Sequence, residues 1–139
     1  MRPLALIVTD SRGKNFAEFE RNQDGRLHRG YDTEYLSIPG AKISDLAYPI
    51  LAKLSDFRAN YDVFIVKIAA GINNFTKKVY NSRGESEIIL ANVPATSVFR
   101  LLTQLKYQIK DEYPRSVVSY CTIPPCKLGS TAKACYKMW

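Results

Sequence analysis

The 139 residues of this chain are the size of one ordinary domain, and we expect residues 1–139 to form a single domain with 126–139 as an irregular tail. Apolar residues make up 46% of the sequence and charged residues 24%, which argues against a disordered or fibrous protein. No apolar stretch approaches the roughly 20 residues of a membrane span, and the N-terminus lacks the pattern of a secretory signal. We therefore expect an intracellular, cytoplasmic protein.

The chain carries 20 Lys and Arg residues against 13 Asp and Glu, so its net charge is +7. This excess favours anionic partners such as nucleic acid. The basic residues are scattered from Arg2 to Lys137, which is also typical of an ordinary solvated surface. Cys121, Cys126 and Cys135 match no zinc or redox spacing and are expected to be free thiols in a reducing compartment.

The first predicted element is a buried strand. Leu4 to Val8 is a continuous apolar run bounded by Pro3 and Asp10, as in a strand that is covered on both faces. From Ser11 to about Arg21 the composition favours a helix, which the turn sequence NQDG at 22–25 ends.

A second strand and an amphipathic helix are predicted next. Tyr35 to Ile38 is a short strand, stopped by the Pro-Gly pair that follows it. Apolar residues from Ile43 to Phe57 recur at helical spacing, so this helix packs one face on a sheet. Pro49 leaves two alternatives: Ser44 caps the helix and Pro49 kinks it, or the regular helix starts near Pro49, in the first turn that proline tolerates.

The second half of the chain continues the alternation. Val63 to Ala69 is a third buried strand, and Lys77 to Tyr80 and Glu87 to Leu90 are predicted to pair as a hairpin insertion. A long helix from about Thr96 to Tyr113 then leads to a fourth strand, Val117 to Tyr120.

Strands that alternate with helices predict an α/β fold with a mostly parallel sheet covered on both faces. In such sheets, ligands bind beyond the carboxyl ends of the strands. Polar or glycine-rich residues follow three of the predicted strands: Asp10-Ser11, Pro39-Gly40 and Gly71-Ile72-Asn73-Asn74.

These three strand ends carry groups that acyl transfer needs. The Ser11 hydroxyl would lie at the start of a helix, in the positive field of the helix terminus. The backbone amides of Ser11 and Gly40, with the side-chain amide of Asn73, could donate hydrogen bonds to a developing oxyanion. Each residue also has a plainer interpretation: Ser11 as a helix N-cap, Asn73 as a turn residue, and Gly40 as a requirement of turn geometry.

The order and spacing of the three strand ends resemble the SGNH hydrolase superfamily, also called GDSL esterases and lipases. Thr9-Asp10-Ser11 resembles its Gly-Asp-Ser block, Gly40 its second-block glycine, and Gly71-Ile72-Asn73-Asn74 its Gly-x-Asn-Asp block. The resemblance covers roughly residues 4 to 124. It implies a flavodoxin-like, three-layer α/β/α fold with strand order 2-1-3-4-5.

The resemblance also implies roles for individual residues. Ser11 would be the nucleophile, and Ser11, Gly40 and Asn73 would form the oxyanion hole. Asp10 and Asn74 would support them, and the substrate would be a small ester. The resemblance implies neither a metal nor an organic cofactor.

The catalytic base of the family is missing from this sequence. Its Asp-x-x-His block has no counterpart, and the single histidine is His28. A helix from Ser11 to about Arg21 would carry the chain roughly 15 Å, which places His28 at the opposite end of the sheet from Ser11. Without a base the hydroxyl is a weak nucleophile. Either the chain is a truncated copy whose missing end carried a fifth strand and the base, or it is a hydrolase-like domain that keeps the pocket without the chemistry.

Two functions therefore stay open. The first is an SGNH-type serine esterase, impaired or incomplete in this chain. The second is a non-catalytic module of the same fold that binds RNA or another polyanion through Lys77, Lys78 and Arg83, because phosphate binding needs little more than such a basic patch. The stretch AAGINNFTKK and the hairpin-like insertion also resemble SGNH-type domains found in reading frames related to mobile elements, and some SGNH-like domains without the catalytic residues bind RNA.

Overall fold

A computed structural model describes residues 2–10 and 30–121 of the chain. The elements of these residues are, in chain order, β1 (Leu4–Thr9), β2 (Asp32–Ser37), a 3-10 helix (Ile43–Asp45), α1 (Ala47–Phe57), β3 (Phe64–Ala69), α2 (Ile72–Phe75), β4 (Thr76–Tyr80), β5 (Ser86–Leu90), α3 (Ala95–Glu112) and β6 (Val117–Tyr120). The helix predicted from Ser11 to about Arg21 and the predicted tail 126–139 lie outside the described residues.

Four of the strands form one parallel sheet in the order β2-β1-β3-β6. β1 pairs along its whole length with both neighbours, from Leu4, which is opposite Asp32 and Phe64, to Thr9. β4 and β5 form a separate antiparallel pair. The predicted α/β class with a mostly parallel sheet is therefore confirmed, and so is the hairpin insertion.

The hydrophobic core lies on one face of the parallel sheet, under α1 and α3. Residues paired across parallel strands point to the same face, so Leu6 and Val66 are neighbours in this core, and both are fully buried. The two helices complete it with their buried residues: Ile50 and Leu54 from α1, and Val98, Leu105 and Ile109 from α3. Among the helices of the described residues, none combines the length and the apolar character that crossing a membrane requires.

The second strand begins earlier than its sequence predicts. Tyr35 to Ile38 is the apolar part, but the strand runs from Asp32 to Ser37 because Asp32 is already opposite Leu4 of β1. Pairing with the central strand β1, rather than apolar character, thus determines where β2 begins. Ile38 still donates its backbone N–H to the Thr9 carbonyl at 2.9 Å, just beyond the strand.

The first helix resolves the alternatives that Pro49 left open. α1 begins at Ala47, so Pro49 lies in the first turn, where its missing N–H needs no partner. Ser44 lies in the preceding 3-10 helix and does not cap α1. The interpretation that the regular helix starts near Pro49 is confirmed.

At the amino edge of the sheet, polar contacts tie the beginning of the chain to the loop before β3. The Tyr61 hydroxyl donates a hydrogen bond to Asp32 Oδ2 at 2.6 Å, and Arg2 Nε lies 3.3 Å from Asp32 Oδ1. The hydrogen bond to Asp32 raises the pKa of Tyr61 above its usual value. On the other face of β3, the Lys67 ammonium lies 5.6 Å from the ring centroid of Tyr31, which precedes β2 at the same edge.

The core packing gives a first prediction. Replacing Leu105, which is 1% exposed, with alanine leaves a cavity between α3 and the sheet and should lower the free energy of unfolding by about 2–5 kcal/mol. Gln108→Ala, at an exposed position of the same helix, should change it by less than about 0.5 kcal/mol. Urea denaturation measures both variants, and equal losses would contradict this packing of α3.

Candidate functional site

Several of the predicted site residues lie at the carboxyl edge of the parallel sheet. Asp10 follows β1, Gly40 follows β2, and Asn73 lies in α2, directly after β3. They share this edge because the strands are parallel and in register. Ser11 and His28 lie outside the described residues.

The turn after β3 directs two asparagine side chains at the loop after β2. Gly71 has a φ of 131°, a backbone conformation that residues with a Cβ rarely adopt, and it allows α2 to start immediately after the strand. Asn73 Nδ2 donates to the Ala41 carbonyl at 3.0 Å. The backbone N–H of Ile43 donates to Asn74 Oδ1 at 2.8 Å. The two bonds hold the loop that contains Gly40 against the end of β3.

Asn74 therefore has a structural role that an aspartate would also perform. Its contact with Ile43 uses only the side-chain oxygen as an acceptor, and a carboxylate offers the same oxygen. Asn74 is the position at which the sequence departs from the Gly-x-Asn-Asp block.

The end of β1 is buried against the end of β2. Asp10 is 2% exposed, and its backbone carbonyl accepts a hydrogen bond from Ser37 Oγ at 2.9 Å. Because Ser37 is the last residue of β2, this bond continues the pairing of the two strands beyond the sheet. Asp10 thus helps to define the edge on which the site lies.

An open cleft of about 610 Å³ lies beside this edge, between the two loops and the β4–β5 hairpin. The residues that line it are Gly40, Lys42, Asn73, Thr76, Lys77, Lys78, Ser86 and Ile88. Gly40 and Asn73, which the sequence predicts as partners in an oxyanion hole, thus share one cleft. An amide side chain carries two donor hydrogens, so the bond from Asn73 to Ala41 leaves it a second one.

The charge of the cleft is positive. Lys42, Lys77 and Lys78 line it, and none of the described lining residues is acidic. Within residues 2–10 and 30–121, none of these lysines forms an ion pair with a carboxylate. Lys78 instead has its ammonium 5.9 Å from the ring centroid of Tyr80. The arrangement suits an anionic ligand.

The predicted basic residues divide between two places. Lys77 and Lys78 line the cleft, whereas Arg83 lies in the turn of the hairpin and is not part of the lining. That turn is fixed by Asn81, whose Oδ1 accepts the backbone N–H groups of Arg83 and Glu85 at 2.9 and 3.0 Å.

Lys42 is a cleft residue that the sequence reasoning missed. The sequence could have identified it, because Lys42 follows the predicted site residue Gly40 by two positions in the same short loop. Thr76, Ser86 and Ile88 were missed for another reason: they enter the cleft only because the hairpin lies over this edge of the sheet, which no periodicity predicts.

A scan against models of protein families found no match to the chain, and neither did a search of curated proteins. Within the part of the chain that the structure describes, no group of three His, Cys, Asp or Glu side chains is placed to hold a metal ion.

The asparagine contacts give a second prediction. Asn74→Ala leaves the part-buried Ile43 N–H without its acceptor and should lower the free energy of unfolding by about 1–3 kcal/mol. Asn74→Asp keeps the acceptor and should retain most of the stability of the wild type at neutral pH. Thermal denaturation of both variants tests this, and an equal loss in each would show that the hydrogen bond to the loop does not matter.

Proposed function

We propose that this chain is a binding module of SGNH-like fold whose cleft holds RNA or another polyanion. The single observation that carries the proposal is the charge of the cleft: three lysines line it without an acidic neighbour among the described lining residues. A phosphate backbone gains affinity by releasing counterions to such lysines, and this gain does not depend on a catalytic group.

The geometry of the edge supports the SGNH-like, flavodoxin-like part of the proposal. The order β2-β1-β3-β6 of the parallel sheet is the order of the first four strands in a flavodoxin-like fold, with the hairpin as an insertion before the fourth. Gly40 and Asn73 lie beside one cleft, as the resemblance to the second and third SGNH blocks implies.

Removing the lysines gives a third prediction. The combined variant Lys42→Ala, Lys77→Ala, Lys78→Ala should bind a fluorescent single-stranded RNA far more weakly than the wild type, as measured by anisotropy. If each lysine meets one phosphate, the slope of log affinity against log salt should become shallower by about 2, at about 0.7 per lost contact.

A matched variant separates the cleft from net charge. Arg58, Arg100 and Lys106 are exposed cations outside the cleft lining, and replacing all three with alanine removes the same charge. This control should keep most of the affinity and the salt slope. If both triple variants weaken binding equally, the polyanion is held by the general surface charge and the proposed site is wrong.

A second candidate function is the SGNH-type serine esterase, impaired or incomplete in this chain. The observation that favours it is the position of Gly40 and Asn73 on one cleft. Gly40 has a φ of 71° and open space around its α-carbon, so a substrate could approach its backbone closely. The backbone N–H of Gly40 has no hydrogen-bond partner among the described residues, which leaves it able to donate to an oxyanion.

The esterase candidate gives a fourth prediction. A fluorophosphonate probe should label the wild type at Ser11 and leave Ser11→Ala unlabelled. Asn73→Ala should slow any hydrolysis of a short-chain nitrophenyl ester by about 10²- to 10³-fold, the usual effect of losing one oxyanion donor. Labelling that persists in Ser11→Ala, or its absence from the wild type, would contradict esterase chemistry at Ser11.

A further inference from the structure

One face of the β4–β5 hairpin combines an exposed cation with an exposed aromatic ring. Residues directly opposite in an antiparallel pair lie on the same face, and the face alternates along each strand. Lys78 is opposite Ile88 and Tyr80 is opposite Ser86, so these four residues share one face, which we call the Tyr80 face. Three of them, Lys78, Ser86 and Ile88, line the cleft.

Tyr80 is unusually exposed for an aromatic side chain in a strand. It is 68% exposed, and its neighbour Ile88 is 46% exposed. The Lys78 ammonium lies 5.9 Å from the ring centroid, and the exposure of Tyr80 shows that the ring is still largely open to solvent. Burial does not explain this tyrosine, since Tyr80 is not one of the residues of the hydrophobic core.

The acidic residues of the hairpin do not share the Tyr80 face. Glu87 is opposite Val79 and therefore points to the other face. Glu85 lies in the turn, where its carboxylate accepts a hydrogen bond from Asn81 Nδ2 at 3.3 Å. A negatively charged chain that runs from the cleft along the Tyr80 face would meet Lys78 first and then an aromatic ring.

We propose that Tyr80 is a stacking residue for an unpaired base and that the ligand of the cleft is single-stranded nucleic acid. The inference rests on the proposed polyanion-binding function and specifies its ligand. Tyr80 lies two residues beyond Lys78, about 7 Å along the strand, so a phosphate held at the lysines can present a neighbouring base to the ring. Aromatic rings beside a basic groove are the common means by which proteins hold single strands without reading their sequence.

The prediction is that Tyr80→Ala distinguishes ligands that have free bases from ligands that do not. Its affinity for a single-stranded oligonucleotide of about 12 nucleotides should fall by roughly 5- to 100-fold, the usual effect of losing one stacking ring. RNA and DNA versions of the oligonucleotide should both show the loss. Affinity for inorganic polyphosphate and for a duplex of the same sequence should stay within about twofold, because neither presents an unpaired base.

Two further variants make the test specific. Tyr80→Phe keeps the ring and should bind the single strand like the wild type. Tyr107→Ala removes an equally exposed tyrosine, 62% exposed, from α3 and should have no effect. Circular dichroism verifies that each variant is folded, and photocrosslinking of a 4-thiouridine oligonucleotide followed by peptide mapping should identify the β4 peptide.

The outcomes separate this inference from the function on which it rests. If the triple lysine variant loses binding but Tyr80→Ala binds single strands normally, the stacking role is overturned and the polyanion site stands. If Tyr80→Ala loses affinity for single strands and for polyphosphate equally, the ring only positions the lysines. The stacking role is then also overturned. If the triple lysine variant binds everything like the wild type, the proposed function itself fails.

Discussion

The parallel pairing of β1 with both of its neighbours is the constraint on which the rest of this structure depends. Leu4 to Thr9 is in register with β2 on one side and with β3 on the other. The three strands therefore end at the same edge of the sheet. The loops that carry Gly40 and Asn73 lie beside each other because of this alignment. The buried aliphatic residues under α1 and α3 hold the strands in place, because a slip of one residue would turn the apolar side chains of β1 and β3 to the opposite face.

Two side-chain amides fix the position of the loop after β2 at the carboxyl edge of the sheet. Asn73 and Asn74 bond to the backbone of the loop at 41–43, which ties the end of β3 to the loop after β2 across β1. Neither bond is part of a regular strand or helix. Loops fixed by side chains in this way hold a binding surface in one conformation. The entropic cost of ordering the loop when a ligand binds is then smaller.

The fold was far more predictable from sequence than the cleft. Apolar runs and helical spacing located the strands and helices, because burial dictates those patterns locally. The start of β2 was missed since Asp32 belongs to the strand through its partner Leu4 and not through its own chemistry. Gly40 and Asn73 could be named from strand ends alone. Lys42 could have been named in the same way, since it follows Gly40 by two positions. Thr76, Ser86 and Ile88 could not be assigned to the same cleft, because the placement of the hairpin over the sheet edge depends on tertiary contacts that leave no period in the sequence.

The closure of the hairpin at its base has a consequence for how this domain can change. The backbone N–H of Ala91 donates to the Phe75 carbonyl at 2.7 Å. The residue before β4 and the residue after β5 are therefore hydrogen-bonded neighbours, and the hairpin between them begins and ends at one place. None of the residues between them belongs to the hydrophobic core under α1 and α3. In evolution, the β4–β5 hairpin could become longer or shorter or be replaced, and the ligand preference of the cleft could change with it while the sheet and its helices stayed the same. A protein engineer could graft another hairpin at the same junction.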